Sequence, residues 1–318
     1  MVLTMSDSPI EIVGLRREFG SFVAVDNLNL AIKKNSFTGF LGPNGAGKST
    51  TLKILTNLIH ATSGQAFLNG IDVVSNPRAA LEDVGTVVET PEFYPYLTPR
   101  QTMRYVGEII GMDREAISAQ TEAILEKVKM VEWGDKKLGT FSKGMRQRIA
   151  LGQALLNDPK VIILDEPTSG LDPRGMAEMR EILKNLRRDT NDLTIMMSSH
   201  ILHEVSDLCD RVAMINHGKL LVHDTIDMVK AIADYRGIVV RMLEEPTPQV
   251  LDRIKALDNV VDAQRNGGNE CIVKIKGGAY EQEKLYSDIL ALGIRVFSLS
   301  EIENTLETVY LDLIKESR

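Results

Sequence analysis

The sequence is poor in cysteine, in aromatic residues and in long apolar runs, and it carries no surplus of basic charge. Two cysteines, Cys209 and Cys271, stand in 318 residues. They form no CxxC pair and no zinc-like cluster, so a disulfide framework is not expected and a reducing compartment fits. Both read as small buried hydrophobes. No apolar run approaches the ~18–20 residues that span a bilayer. The opening stretch, MVLTMSDSPIEI, has neither a basic segment nor an apolar one behind it, which argues against a signal peptide. The formal charge is 37 − 44 = −7, so nucleic acid is not the expected partner, because phosphate backbones recruit basic surfaces. A membrane-embedded partner stays open, since docking on it needs no global positive charge. The expected location is cytoplasmic.

Hydrophobic residues make up 43% and charged residues 25% of the chain, the composition of a globular protein. At roughly 100–200 residues per domain, the length suggests two domains. EIVGLRREF and AVDNLNLAI alternate as half-exposed antiparallel strands, and SFTGFL is a short strand entering a glycine-rich turn. Helical spacing follows in GKSTTLKILTNLI. Further on, GQAFLNG and VGTVVE read as strands, and two helices are expected over 100–110 and 114–131. A helix capped by Ser142 runs to about Asn157, and Met176–Arg187 is another. VIILDEP and LTIMMSS are continuous apolar strands, as a parallel sheet buried on both faces requires. His200 should open the next helix, and RVAMINHGKLLVHD reads as a hairpin. This α/β part is assigned to residues 8–222. Residues 235–318 follow a different order, β-α-β-β-α-β and a terminal helix, which is the ferredoxin-like α+β arrangement.

Gly42-Pro43-Asn44-Gly45-Ala46-Gly47-Lys48-Ser49 satisfies GxxxxGK[ST] between a strand and a helix. Glycines let backbone N–H groups wrap phosphates, and the helix N-terminus adds partial positive charge. In such a loop Lys48 reaches the β- and γ-phosphates of ATP and Ser49 ligates Mg²⁺; Thr50 completes the cradle. VIILDE then ends in an acidic pair, on a strand expected to lie beside the phosphate loop. Asp165 is placed to hold Mg²⁺, and Glu166 to orient and polarise the attacking water as a general base.

With these motifs the chain resembles the ABC ATPase family over roughly residues 8–222. The resemblance implies a P-loop fold with a mixed sheet core, an antiparallel β subdomain and a helical subdomain. Phe19 stands where the family keeps an aromatic that stacks on adenine. Phe141-Ser142-Lys143-Gly144-Met145-Arg146-Gln147-Arg148 looks like the signature motif. Ser142 and Gly144 match it; Phe141, Lys143 and Met145 depart. In the family this motif meets the ATP of the opposite protomer, so a homodimer of ATPase domains is implied. Ser169-Gly170-Leu171-Asp172 matches the D-loop. His200 matches the switch histidine that contacts the γ-phosphate. Glu89 stands where the family usually has a glutamine that touches Mg²⁺ and water and senses the membrane subunit, so Glu89 is a candidate cofactor and metal contact.

The glutamate, the hundred residues after the cassette and the ending ENTLETVYLDLI place the chain nearest the daunorubicin- and bacitracin-resistance type of ATP-binding subunit. The implied activity is ATP hydrolysis that drives a separate membrane permease, with export favoured over import. The chain would then lie peripherally on the inner face of the membrane. The alternative is a soluble ABC-type ATPase acting on a non-transport complex. Ribosome-acting members have two cassettes, and chromosome ATPases have a long heptad insertion before the signature; this chain has neither. The loop Pro91–Pro99 and helix 100–110, with Phe93, Tyr94 and Tyr96, are the expected docking surface for the permease.

Overall fold

The computed structural model describes residues 8–189, 192–232, 235–302 and 305–316. Most of the opening stretch considered for a signal peptide therefore lies outside the described residues. The chain divides into two compact units, one ending at Ile226 and a second running from Asp227 to Glu316.

In the first unit, β1 (Ile10–Phe19) and β2 (Phe22–Ile32) pair antiparallel. β3 (Phe37–Leu41), the phosphate loop and α1 (Lys48–Leu55) follow. α1 is shorter than the motif GKSTTLKILTNLI suggests: Asn57 turns into the left-handed region, with φ 55°, which ends a helix at its C-terminus. Next come β4 (Ser63–Leu68), β5 (Ile71–Asp72), α2 (Pro77–Leu81) and β6 (Val84–Val87). α3 (Pro99–Ile109) opens with a capping box between Thr98 and Gln101. α4 (Arg114–Lys127) and α5 (Lys143–Ala154) complete the helical region. The rest is β7 (Val161–Asp165), α6 (Pro173–Asp189), β8 (Thr194–Ser199), α7 (Leu202–Leu208), and the hairpin β9 (Arg211–Asn216) and β10 (Lys219–Thr225).

These strands form two sheets, ordered β2-β1-β4-β5 and β10-β9-β3-β8-β7-β6. The central strands of the second sheet run parallel. Phe37, Phe40, Val161, Ile163, Ile195 and Met196 on them are essentially inaccessible, as the continuous apolar runs demand. One apolar core joins Ile12 and Leu30 of the antiparallel sheet, Leu52 and Leu55 of α1, and Phe40 and Ile163 of the parallel sheet. α1 is thus held between the two sheets, and its N-terminus cannot drift from the strand ends.

The second unit begins with α8 (Ile226–Ala231), a short helix at the boundary. β11 (Arg236–Met242), α9 (Pro248–Lys255), β12 (Val260–Arg265), β13 (Glu270–Ile275), α10 (Ala279–Ala291) and β14 (Val296–Ile302) follow. The antiparallel sheet order β12-β13-β11-β14 is the one the ferredoxin-like arrangement requires. Its own core joins Ile238, Val240, Ile254, Val273, Leu285 and Ile289. α11 (Leu306–Glu316) ends the described chain.

Candidate nucleotide site

Strand register decides where the site forms. In the parallel sheet Leu41 lies level with Ser199, and Ser198 level with Asp165. The loops after β3, β8 and β7 therefore leave the same edge of the sheet, at the carboxyl ends of the strands, where open α/β sheets bind ligands. β7 does not lie beside β3, as the sequence led us to expect; β8 runs between them. The acidic pair reaches the phosphate loop across that strand because Ser49 and Asp165 project toward each other over its end.

The glycines of the loop are fixed by close backbone approaches. At Gly47, with φ 104°, a Cβ would fall 2.4 Å from the Ala24 carbonyl oxygen. At Gly42 a Cβ would meet the Ile215 carbonyl oxygen at 2.4 Å. Gly45, at φ 80°, faces open space with Asn44 at the exposed crest. Gly47 offers no side-chain cap to α1. The first N–H groups of that helix are left for a ligand, and the dipole there favours an anion.

Lys48 is only 5% exposed. Its Nζ donates to the carbonyl oxygens of Gly42 (2.8 Å) and Pro43 (3.2 Å), and lies 3.6 Å from Glu166 Oε1. Burial lowers the Lys48 pKa, and the carboxylates of Glu166 and Asp165 oppose that shift. A negatively charged ligand next to Lys48 would further favour the ammonium. Ser49 Oγ donates to Asp165 Oδ1 at 3.1 Å. Ser198 Oγ donates to the same oxygen at 2.6 Å and accepts the Glu166 N–H at 2.9 Å. Glu166 sits at φ 44°, so its carboxylate turns back toward the loop. Glu166 Oε1 lies 3.1 Å from His200 Nδ1. His200 does not begin a helix: α7 starts at Leu202, and His200 occupies the turn just past β8. That turn, and not a helical face, brings the imidazole to Glu166.

The model of the ABC transporter family matches residues 25–169, a span that holds both the phosphate loop and the acidic pair. Bacitracin transport ATP-binding protein BcrA of Bacillus licheniformis is 35% identical over 305 residues, covering 96% of this chain and 97% of that protein. The chain belongs to the ABC transporter family. A lantibiotic transport ATP-binding protein, SrtF of Streptococcus pyogenes, is 37% identical over 218 residues, with 69% of this chain and 91% of that one covered. Among solved structures, cbiO1 from Clostridium perfringens, part of the ABC transporter complex cbiONQ, has a TM-score of 0.63 at 25% identity. The match covers 71% of this chain and 91% of that one. This ABC chain is an ATP-binding and ATP-hydrolysing subunit, and such subunits work with membrane permeases. No helix among its described residues is long and apolar enough to cross a membrane.

The remaining candidates are spread over this ABC subunit. Phe19 is 47% exposed at the tip of the β1–β2 hairpin, with the Arg17 guanidinium 4.5 Å from its ring centroid. It is therefore not a core residue. Ser142 accepts the Met145 N–H at 3.2 Å as the N-cap of α5. Gly144 follows in its first turn. No hydrogen bond or ion pair among the described residues joins either of them to Lys48, Asp165 or Glu166. No hydrogen bond or ion pair among the described residues joins Glu89 to Ser49, Asp165 or Glu166. Glu89, at φ 76° beyond β6, is 60% exposed and pairs with Lys53, one turn along α1 from Ser49. No group of three or more His, Cys, Asp or Glu suited to a metal occurs among the described residues. Three residues that sequence reasoning missed are Ser198, Lys53 and Glu204. The paired serines ending LTIMMSS were the available signal for the first; contacts between distant elements define the other two.

Proposed function

We infer that this subunit drives export of a small molecule or peptide through a separate permease, acting as a homodimer of its ATPase unit. The observation that carries the ATP-hydrolysing part of this reading is the convergence of Lys48, Ser49, Asp165, Glu166 and His200 at one sheet edge, over a helix N-terminus with no side-chain cap. Glu166 contacts Lys48 and His200 beside the uncapped N-terminus of α1, which supplies backbone N–H groups for the phosphates of ATP. Ser49 and Asp165 supply two oxygen donors. Mg²⁺ binds through one or two such groups plus substrate phosphates and water, so the residues fit the ion although they would not hold it alone. When bound, Mg²⁺ would neutralise charge on the phosphate oxygens.

Within that site Lys48 neutralises phosphate charge and Glu166 accepts the proton of the attacking water. His200 holds the Glu166 carboxylate in position and reaches toward the terminal phosphate. Ser198 orients Asp165 through its hydroxyl proton and Glu166 through the backbone N–H. Phe19, exposed and backed by Arg17, is available to stack on adenine. Ser142 and Gly144, which make no hydrogen bond to these groups among the described residues, are available to the ATP of a second copy. Export rests on the likeness to the bacitracin and lantibiotic transport proteins.

Permease docking is assigned to the loop Pro91–Pro99 and α3. Tyr94, Tyr96 and Tyr105 are 52%, 63% and 46% exposed, and their rings gather with centroids 5.7 and 6.0 Å apart. Such an exposed aromatic cluster fits a protein interface. The test is copurification with membrane proteins from the native host, followed by ATPase assay in vesicles with the captured permease. A single-cysteine variant at Tyr96 should cross-link to the permease. Cross-linking only through residues beyond 235 would refute the docking surface, and ATP-independent transport would refute the function.

A further inference from the structure

Among the described residues outside the groups that face the phosphate loop, one carboxylate is withdrawn from water. Glu204, in the first turn of α7, is 1% exposed. Its Oε2 accepts the Ser199 hydroxyl at 3.1 Å, a closer acceptor than the Ile201 carbonyl oxygen at 3.4 Å. Ser199 Oγ in turn accepts the Ile201 N–H at 2.9 Å. The three residues thus brace both sides of His200: Ser199 precedes it, Ile201 follows it, and Glu204 holds the hydroxyl that joins them. The other carboxylate oxygen, Oε1, lies 3.5 Å from an Arg180 nitrogen but makes no hydrogen bond among the described residues. Arg180 projects from α6, whose first turn is held by Asp172 through its bond from the Gly175 N–H.

A buried carboxylate with one hydrogen bond and one loose ion pair is costly, and an apolar side chain would suit a plain core position better. What the charge provides is direction. It sets the hydroxyl proton of Ser199 toward α7, leaving the Ser199 lone pair for the Ile201 N–H, and so fixes the backbone on each side of His200. His200 itself has no neighbour in a regular helix to hold it, because α7 begins two residues later.

We propose that Glu204 is a positioning residue for ATP hydrolysis: acting through Ser199, it holds the His200 turn so that the imidazole stands against Glu166, with Arg180 anchoring it to α6. This rests on the reading that His200 serves the reaction. A small displacement of a reacting group costs roughly up to a hundredfold in rate, whereas a role in stability alone changes neither kcat nor its dependence on His200.

The experiment is a double-mutant cycle in the full-length chain, with steady-state kcat and KM for Mg-ATP measured on folded protein. Glu204→Gln should lower kcat roughly ten- to hundredfold and leave KM within about twofold. In a His200→Ala background, Glu204→Gln should cause no further loss, because its effect runs through the imidazole. If Glu204→Gln does not fold, Ser199→Ala is put through the same cycle with the same expectation. Unchanged kcat in the substituted protein, or an equal loss with and without His200, overturns the proposal. If His200→Ala alone retains the parent kcat, the reading of His200 falls and the proposal with it; a large loss in His200→Ala beside an unaffected Glu204→Gln sinks the proposal only.

Discussion

Replacing Glu166 by Gln separates nucleotide binding from hydrolysis. The change keeps the side-chain shape at φ 44°, so it adds no backbone strain beyond what is already there. An amide oxygen can still meet His200 Nδ1, now 3.1 Å away. Lys48 loses a carboxylate at 3.6 Å but keeps the two loop carbonyls at 2.8 and 3.2 Å. The net cost to stability should stay near 1 kcal/mol. Hydrolysis loses its base. Positioned general bases contribute about 10²–10⁴-fold, or roughly 3–5 kcal/mol of barrier at 1.36 kcal/mol per tenfold. Removing a negative charge beside the phosphates should maintain or strengthen ATP binding. The assay pairs single-turnover hydrolysis with equilibrium binding of ATP, and gel filtration should show an ATP-trapped dimer. Lys48→Ala provides the contrast, since it should lose binding as well as turnover. ATPase activity in Glu166→Gln within about twofold of the parent would refute the assignment, because no other described carboxylate contacts both Lys48 and His200.

Glu89→Gln removes the charge that pairs with Lys53; at that exposure the pair contributes only about 0–1 kcal/mol. Releasing the Glu89 loop from Lys53 should let the isolated variant hydrolyse ATP faster and gain less from the permease, and equal rates across a Mg²⁺ titration, with and without permease, would show that the charge is irrelevant. Truncation near residue 235 should leave a folded unit that binds ATP, since the two cores share no residue; a folded fragment unable to bind ATP would disprove this independence. His223 is half-buried near Arg211, and its pKa is pushed down to about 4 by desolvation and then by that guanidinium. The unfolded chain takes up this proton near pH 6.5 while the folded protein does not, so stability is full above about pH 6.5 and falls as pH drops toward 4. Thermal unfolding between pH 7 and 4.5 should lose on the order of 1–3 kcal/mol through this group, and His223→Gln should flatten that part of the profile.

Local chemistry in the sequence was enough to identify the phosphate loop, the acidic pair, the Ser142 cap and the alternation of strands and helices. Each depends on near neighbours: Gly47 on a left-handed turn before α1, Ser142 on the N–H three residues ahead, and the apolar run at Val161 on burial of both faces. The same local grammar marked a change of strand and helix order after residue 235, whereas the second compact unit begins at Asp227, with a short helix not expected from the sequence. Tertiary structure alone decided three things. The first is that β8 separates the acidic strand from the phosphate strand, so Ser198 joins the site; strand order is set by which faces bury together, which no single strand encodes. The second is that Glu89 meets Lys53, since an ion pair between a strand end and the far turn of a helix depends on how α1 lies between two sheets. The last is the Glu204–Ser199–Ile201 brace, whose hydrogen bonds exist only because β8 ends, the chain turns at His200 and α7 starts within five residues, against an α6 that brings Arg180 across from a distant part of the chain.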